Sequence, residues 1–274
     1  MKFIHPEYKI EIDTDSFDLK KAFKDLNDIY KKIPNTKCLH CPGKKGVEAD
    51  CCKSFSPPML LVEFLNILSK LEKEDKEFQE KFVVECMQSF LNPEYQNECL
   101  LLKDVFCRYY DQRPFSCRMF GQYSDVEWKG RIEAIQEQSF VDPRKLPFYK
   151  QCKNIQVLAK KGKKSVKKGD SDYFFKSIYS IDLRLFDYFG EKGKPSLGPL
   201  FVLSSKTYLP IYTHLLLIRI GPELLEQLAI VKLNGRQDYD LYLEGELSEE
   251  KYIEKKKGIE DFFQIIKKSI MEGE

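Results

Sequence analysis

Apolar residues recur at steps of three and four along several stretches of this chain, and each such stretch predicts a helix with one buried face. Leu19, Phe23, Leu26, Tyr30 and Ile33 make the first, which Asp15, Ser16 or Asp18 can cap and Pro34 ends. Leu60, Leu61, Phe64, Leu65, Leu68 and Leu71 form a wider face behind Pro57 and Pro58, residues suited to a first helical turn. Phe78, Phe82, Cys86 and Phe90 follow at every fourth position, up to Pro93. Later come Phe174, Ile178, Ile181, Leu185 and Tyr188, ending at Gly190. Leu224, Leu225, Leu228 and Val231 lie between Gly221-Pro222 and Asn234-Gly235, and a last helix after Ser248 buries Ile259, Phe262, Phe263, Ile266 and Ile270.

Alternation is scarcer. Tyr8, Ile10 and Ile12 predict a short strand, and the run Leu-Leu-Leu-Lys-Asp-Val-Phe between Cys99 and Cys107 predicts two strands turning at Lys103-Asp104. Aromatic and β-branched residues around Trp128-Lys129-Gly130 suggest a second hairpin within residues 123–135. Residues 36–58 carry little periodicity and much Cys, Gly, Pro and Lys, so something other than an apolar core must organise them.

The cysteines supply that organiser. Eight of the nine fall in one series: Cys38-x2-Cys41-x9-Cys51-Cys52, then Cys99-x7-Cys107-x9-Cys117, then Cys152, with none beyond. Cys86 stands in the phenylalanine stripe instead and reads as an ordinary buried thiol. Clustered thiols serve disulfides, redox exchange or metal ligation. With 274 residues, 42% of them hydrophobic, the chain can bury a core without disulfide staples. The first residues lack the apolar stretch of a secretory leader and the cysteine count is odd, which predicts a cytoplasmic address and reduced thiols. The longest apolar run, residues 209–220, includes His214 and Arg219 and falls short of the roughly 20 residues that span a bilayer, so no membrane is expected. Lysine plus arginine (45) nearly balances aspartate plus glutamate (43), and overall charge points to no partner.

Four thiolates saturate one tetrahedral zinc or the irons of one cubane cluster. Eight could fill two such sites, or one with thiols to spare. Cys38-Leu39-His40-Cys41 is the short bite with which a tight turn aims two sulfurs at one ion. Zinc ribbons use that bite twice, whereas here it occurs once. Neighbours in an extended segment point to opposite sides, so Cys51 and Cys52 would serve different ions or different roles. His40 could replace a thiol, although eight already suffice; His5 and His214 have no ligand-like setting. Arg113 and Arg118 flank Cys117, where permanent cations would lower the thiol pKa and could hydrogen-bond a sulfur or an anionic ligand, with Asp111 placed to hold either one.

Cys107-Arg-Tyr-Tyr-Asp-Gln-Arg-Pro-Phe-Ser-Cys117-Arg-Met-Phe, together with the Cys38-x2-Cys41 bite and the Cys51-Cys52 pair, resembles the YkgJ-like cysteine-cluster family, whose shared domain is described as zinc- or iron-chelating. Cys99, Cys107, Tyr110, Asp111, Arg113, Pro114, Cys117 and Arg118 fall on that family's central signature. Cys152 matches its last cysteine, without the proline that usually follows. Residues 42–50 lengthen the interval before the cysteine pair, a surface insertion of small entropic cost. The resemblance covers residues 36–155. It implies a site built from Cys38, Cys41, Cys51, Cys52, Cys99, Cys107, Cys117 and Cys152 for zinc or an iron–sulfur cluster, with Arg113 and Arg118 behind the ligands. Some larger relatives are flagellin lysine-N-methylases, which keeps open a metal-dependent enzyme acting on a protein substrate, or a redox protein; this chain has no recognisable methyl-donor motif.

The expected organisation is an N-terminal strand and helix (1–35), a cysteine-cluster domain (36–159), a linker (160–170) with six lysines and two glycines, and a mostly helical C-terminal region (171–274). The fold class is α+β, mainly helical: an irregular, metal-organised cysteine core with short hairpins against helices. A protein partner fits this plan. Nucleic acid does not, since no aromatic platform is interleaved with the lysine run.

Overall fold

The computed structural model describes residues 12, 14–38, 52, 56–94, 98–103, 106–139, 155–158, 169–191 and 209–272. They are mainly helical. The first helix, α1 (Phe17–Tyr30), starts where the Ser16 hydroxyl accepts the Leu19 N–H. It buries Leu19, Leu26 and Tyr30. The predicted strand at residues 8–12 lies outside the described residues apart from Ile12, which packs against the core.

Helix α2 (Leu61–Leu71) is the centre of the molecule: every residue from Leu61 to Leu68 is buried, including Glu63 and Asn66. A helix apolar nearly all round must be enclosed on all sides. Here α1, α6 (Asp170–Glu191) and α7 (Ile211–Leu243) enclose it. Pro57 and Pro58 do not form its first turn as expected. Pro58–Met59 is instead a two-residue strand, β2, paired antiparallel with β6 (Leu209–Pro210), so the starts of α2 and α7 are tied together. His214 on α7 reinforces the tie with Nε2 at 3.0 Å from the Met59 carbonyl, and its ring stacks on Phe64. Burial holds this imidazole neutral, lowering its pKa to about 4.

The phenylalanine-stripe helix, α3 (Lys76–Leu91), is capped by Asp75 and lies along α7, with α8 (Glu249–Glu272) packed against both. Within α7 the backbone breaks at Gly221, at φ 82 and ψ 168, a region open to glycine and closed to side chains. Residues 211–220 therefore form a separate buried segment ahead of the helix expected at Gly221-Pro222. The expected stop at Asn234-Gly235 is not used, and the helix runs on to Leu243. Gly235 serves close approach there: a Cβ on it would run into the end of the Ile259 side chain and lie 3.3 Å from Pro93 Cβ.

The hairpin after Cys99 forms, with β3 (Leu102–Lys103) antiparallel to β4 (Phe106–Cys107). The hairpin expected around Trp128 does not; residues 125–139 are a helix, α5. Its cause is the Ser124-x-x-Glu127 capping box, in which the Ser124 hydroxyl accepts the Glu127 N–H and the Glu127 carboxylate accepts the Ser124 N–H. That signal outweighs the aromatic content used to infer a strand. Within residues 36–58, read as a loop, Asn35–Cys38 forms a strand, β1, paired with β5 (Ile155–Leu158); residues 39–51 and 53–55 lie outside the described residues, as do 159–168. Helices from either side of the lysine run share one buried core, through α1 with α6, α2 with α6 and α3 with α7. Among the described residues no helix is long and apolar enough to cross a membrane.

Candidate metal centre

Backbone pairing draws the cysteine segments toward one another. The Cys99 N–H donates to the Cys52 carbonyl at 2.6 Å, and the Cys99 carbonyl accepts from Leu102 at 2.8 Å. Leu102 in turn faces Cys107 across the hairpin. Cys38 faces Ile155 in the β1–β5 pair, so the first cysteine of the series lies opposite a residue three positions after Cys152. Of the expected ligands, Cys41, Cys51 and Cys152 lie outside the described residues, as do His5 and His40, and of Cys38 only the strand position is described. Among the described residues no three His, Cys, Asp or Glu side chains converge as a metal-holding group, and no disulfide links two of the described cysteines.

The sulfurs differ in setting. Cys86 is fully buried in the α3 stripe, and burial raises its pKa well above the ordinary 9.0, which makes it chemically quiet. Burial also raises Cys107, but there a hydrogen bond from the Tyr109 N–H and the charge of Arg113 act in the opposite direction. An amide N–H aimed at a sulfur from two residues on is a device that favours thiolate over thiol. Cys99 is buried, while Cys52, Cys107 and Cys117 are half-buried.

The Arg-Pro-Phe-Ser-Cys-Arg segment has a definite seat. Its five-residue helix, α4 (Phe115–Met119), follows Pro114, whose side chain cannot cap it. The Phe115 N–H donates instead to Glu63 Oε1 at 2.6 Å, and the Ser116 hydroxyl donates to the Pro58 carbonyl at 2.8 Å. Arg118 lays its guanidinium over the Tyr30 ring, 3.9 Å from the centroid, and donates Nε to the Arg113 carbonyl and a terminal N–H to the Asp111 carbonyl. Arg113 covers the Tyr110 ring and donates to the Tyr110 carbonyl. Both arginines thus close the loop between Cys107 and Cys117 from within. Arg113 also acts on the Cys107 sulfur through its charge. Gln122 joins the carbonyls of Arg118 and Pro34, linking the Cys117 turn to the lead-in of the Cys38 strand.

Residues that periodicity passed over hold this arrangement. Glu63 interrupts an apolar run at the third position of α2, the one visible sign that it does something other than fill space. Its carboxylate accepts from Tyr30 Oη at 2.5 Å and from the Leu60 and Phe115 N–H groups. Asp182, from α6, accepts the Leu61 and Val62 N–H groups at 2.9 and 2.7 Å. Burial raises both carboxyls, Asp182 to about 7, against the pull of these donors.

Beside the hairpin a cleft of about 680 Å³ opens between α3, residues 98–102 and α8, with Cys99 in its wall beside Glu85, Glu98, Glu260 and the ion pair of Lys256 with Glu94. No protein-family profile matches the chain, and neither the curated proteins nor the solved structures include a significant match.

Proposed function

We propose that this chain is a metal-binding protein that chelates zinc or an iron–sulfur cluster through the clustered thiolates of Cys38, Cys41, Cys51, Cys52, Cys99, Cys107, Cys117 and Cys152, as a member of the YkgJ-like cysteine-cluster family. The observation that carries this reading is the pairing of the cysteine segments: Cys52 to Cys99 by a direct backbone bond, Cys99 to Cys107 across the hairpin, and the Cys38 strand to the segment that follows Cys152. Burial raises the Cys107 thiol overall, and the Tyr109 N–H and the Arg113 charge work against it, in the direction of the charged ligand that a soft or borderline metal requires. A bound metal would add cross-links among these segments to the packing of Leu101, Tyr109, Phe115 and Met119 in the core.

Anaerobic purification, metal analysis and a visible absorption spectrum test the reading. Stoichiometric zinc, or a brown protein with iron and labile sulfide, is the expected result. Fully reduced protein that retains neither metal, and takes up neither on reconstitution, would overturn it.

A second reading, an enzyme acting on a protein substrate, draws on the acidic cleft at Cys99, which suits a basic segment of a protein. Its test is calorimetric titration of the metal-loaded protein with a methyl donor and with lysine-bearing peptides. Absence of heat in both leaves metal binding as the activity.

A further inference from the structure

We infer that Glu63 is a positioning residue for the thiolate site: its carboxylate sets the one-turn helix that presents Cys117. The inference rests on the metal-binding reading above. It starts from a deficit in the sequence, because the turn that carries Cys117 follows a proline and has no side chain of its own to satisfy its leading N–H groups. Five residues form little more than one turn, so internal hydrogen bonds cannot fix its rotation. The missing acceptor comes from α2, where Glu63 Oε1 meets the Phe115 N–H at 2.6 Å, two residues before Cys117.

Capping α2 alone would not need this residue. The bond from Leu60 N–H to Oε2 is local, and a serine or aspartate at position 60 would cap the helix as well. What Glu63 adds are its two distant partners, Tyr30 and Phe115. Tyr30, held by the same oxygen, offers its ring to the Arg118 guanidinium, and Arg118 closes the loop back to Arg113 and Asp111. One buried carboxylate therefore fixes both the start of the turn and the platform under the residue after Cys117. Groups that orient a ligand without touching the metal typically change affinity by roughly 10–100-fold when altered.

Asp182 provides the control. It is as buried as Glu63 and accepts N–H groups at the same helix start, yet the donors it holds, Leu61 and Val62, both belong to α2 and neither is part of the Cys117 turn. The experiment compares wild type, Glu63→Gln, Tyr30→Phe and Asp182→Asn, purified anaerobically, stripped and titrated with Co2+, with chelator competition for affinity and the thiolate-to-cobalt absorption band for geometry. Where the purified chain carries iron, the spectrum after reconstitution with ferrous iron and sulfide replaces the cobalt band. Glu63→Gln is expected to lose at least roughly tenfold in affinity and to shift the band. Tyr30→Phe, which keeps the carboxylate and the ring, should shift it in the same sense by less, and Asp182→Asn should bind like wild type even though it unfolds at lower temperature. Wild-type affinity and band in both Glu63→Gln and Tyr30→Phe would overturn the role of Glu63 while leaving the metal site standing, and so would an equal loss in Asp182→Asn. A wild type that binds neither metal would overturn the thiolate reading, and this inference with it.

Discussion

Cys86 and Cys107 share a side chain and differ in everything around it. Cys86 is fully buried in the same helix as the buried Phe82 and Phe90, and burial, with the nearby Glu85 charge, holds it as a thiol; the sulfur of Cys107 receives an N–H and a nearby guanidinium charge that act against its burial. Cys86→Ser should therefore leave metal content unchanged and lower stability by about 1–3 kcal/mol, the usual cost of a hydroxyl buried without a partner, as read by urea unfolding. Cys→Ser at Cys41, Cys51, Cys107 or Cys117 should instead abolish stoichiometric metal; full metal in all four variants would rule the ligand assignment out. Asp182 makes a separate prediction. Its carboxyl holds a proton up to about 7 in the folded protein, against an ordinary 3.8 in the unfolded chain. Across that window the native state binds the extra proton, so stability is greatest below it and falls as pH rises through about 7. Thermal unfolding at pH 5 and pH 8 should show the lower midpoint at pH 8, with a flatter dependence in Asp182→Asn; a wild-type midpoint that rises over that range would contradict the assignment.

At the scale of elements, the breaks matter more than the runs. Gly221 divides a long apolar stretch into a buried segment that meets β2 and a longer arm that carries α8, and only glycine fits its φ of 82°. Gly221→Ala should cost about 1–3 kcal/mol by denaturant unfolding, and an unchanged midpoint would show that the backbone relaxes there. How legible each element was in the sequence follows from what forms it. Helices α1, α3, α6 and α8 declare themselves because each buries one face against a large core, and a buried face leaves its period in the sequence; α2 declares itself by being apolar nearly all round. The Trp128 region misled because aromatic content says only that a segment is partly buried, while the Ser124-Glu127 box says where a helix starts. The Asn35–Cys38 strand had no chance of being read, since its partner lies at residues 155–158 and neither segment alternates enough to declare itself.

Across the whole molecule, the cysteine-bearing part and the helices beyond residue 170 are built on one core. Helix α2 is enclosed by α6 and α7, and Asp182 supplies two of the hydrogen bonds at its start. A fragment of residues 1–165 would leave the apolar faces of α2 and α3 in water, at a cost of roughly 25 cal/mol for each Å² exposed. It should aggregate or lose its near-UV circular dichroism, and a monomeric fragment with a native-like spectrum would show that the core divides at the lysine run. The series of eight cysteines, the separation of Cys86 from them and the periodic helices were all present in the order of residues, because each depends on neighbours a few positions away. Which cysteine segments pair, where the arginines beside Cys117 spend their donors, and that a buried glutamate 52 positions before Phe115 supports its turn were decided by tertiary structure alone. Those contacts join residues far apart in sequence, and a contact between single polar groups leaves no period by which to find it.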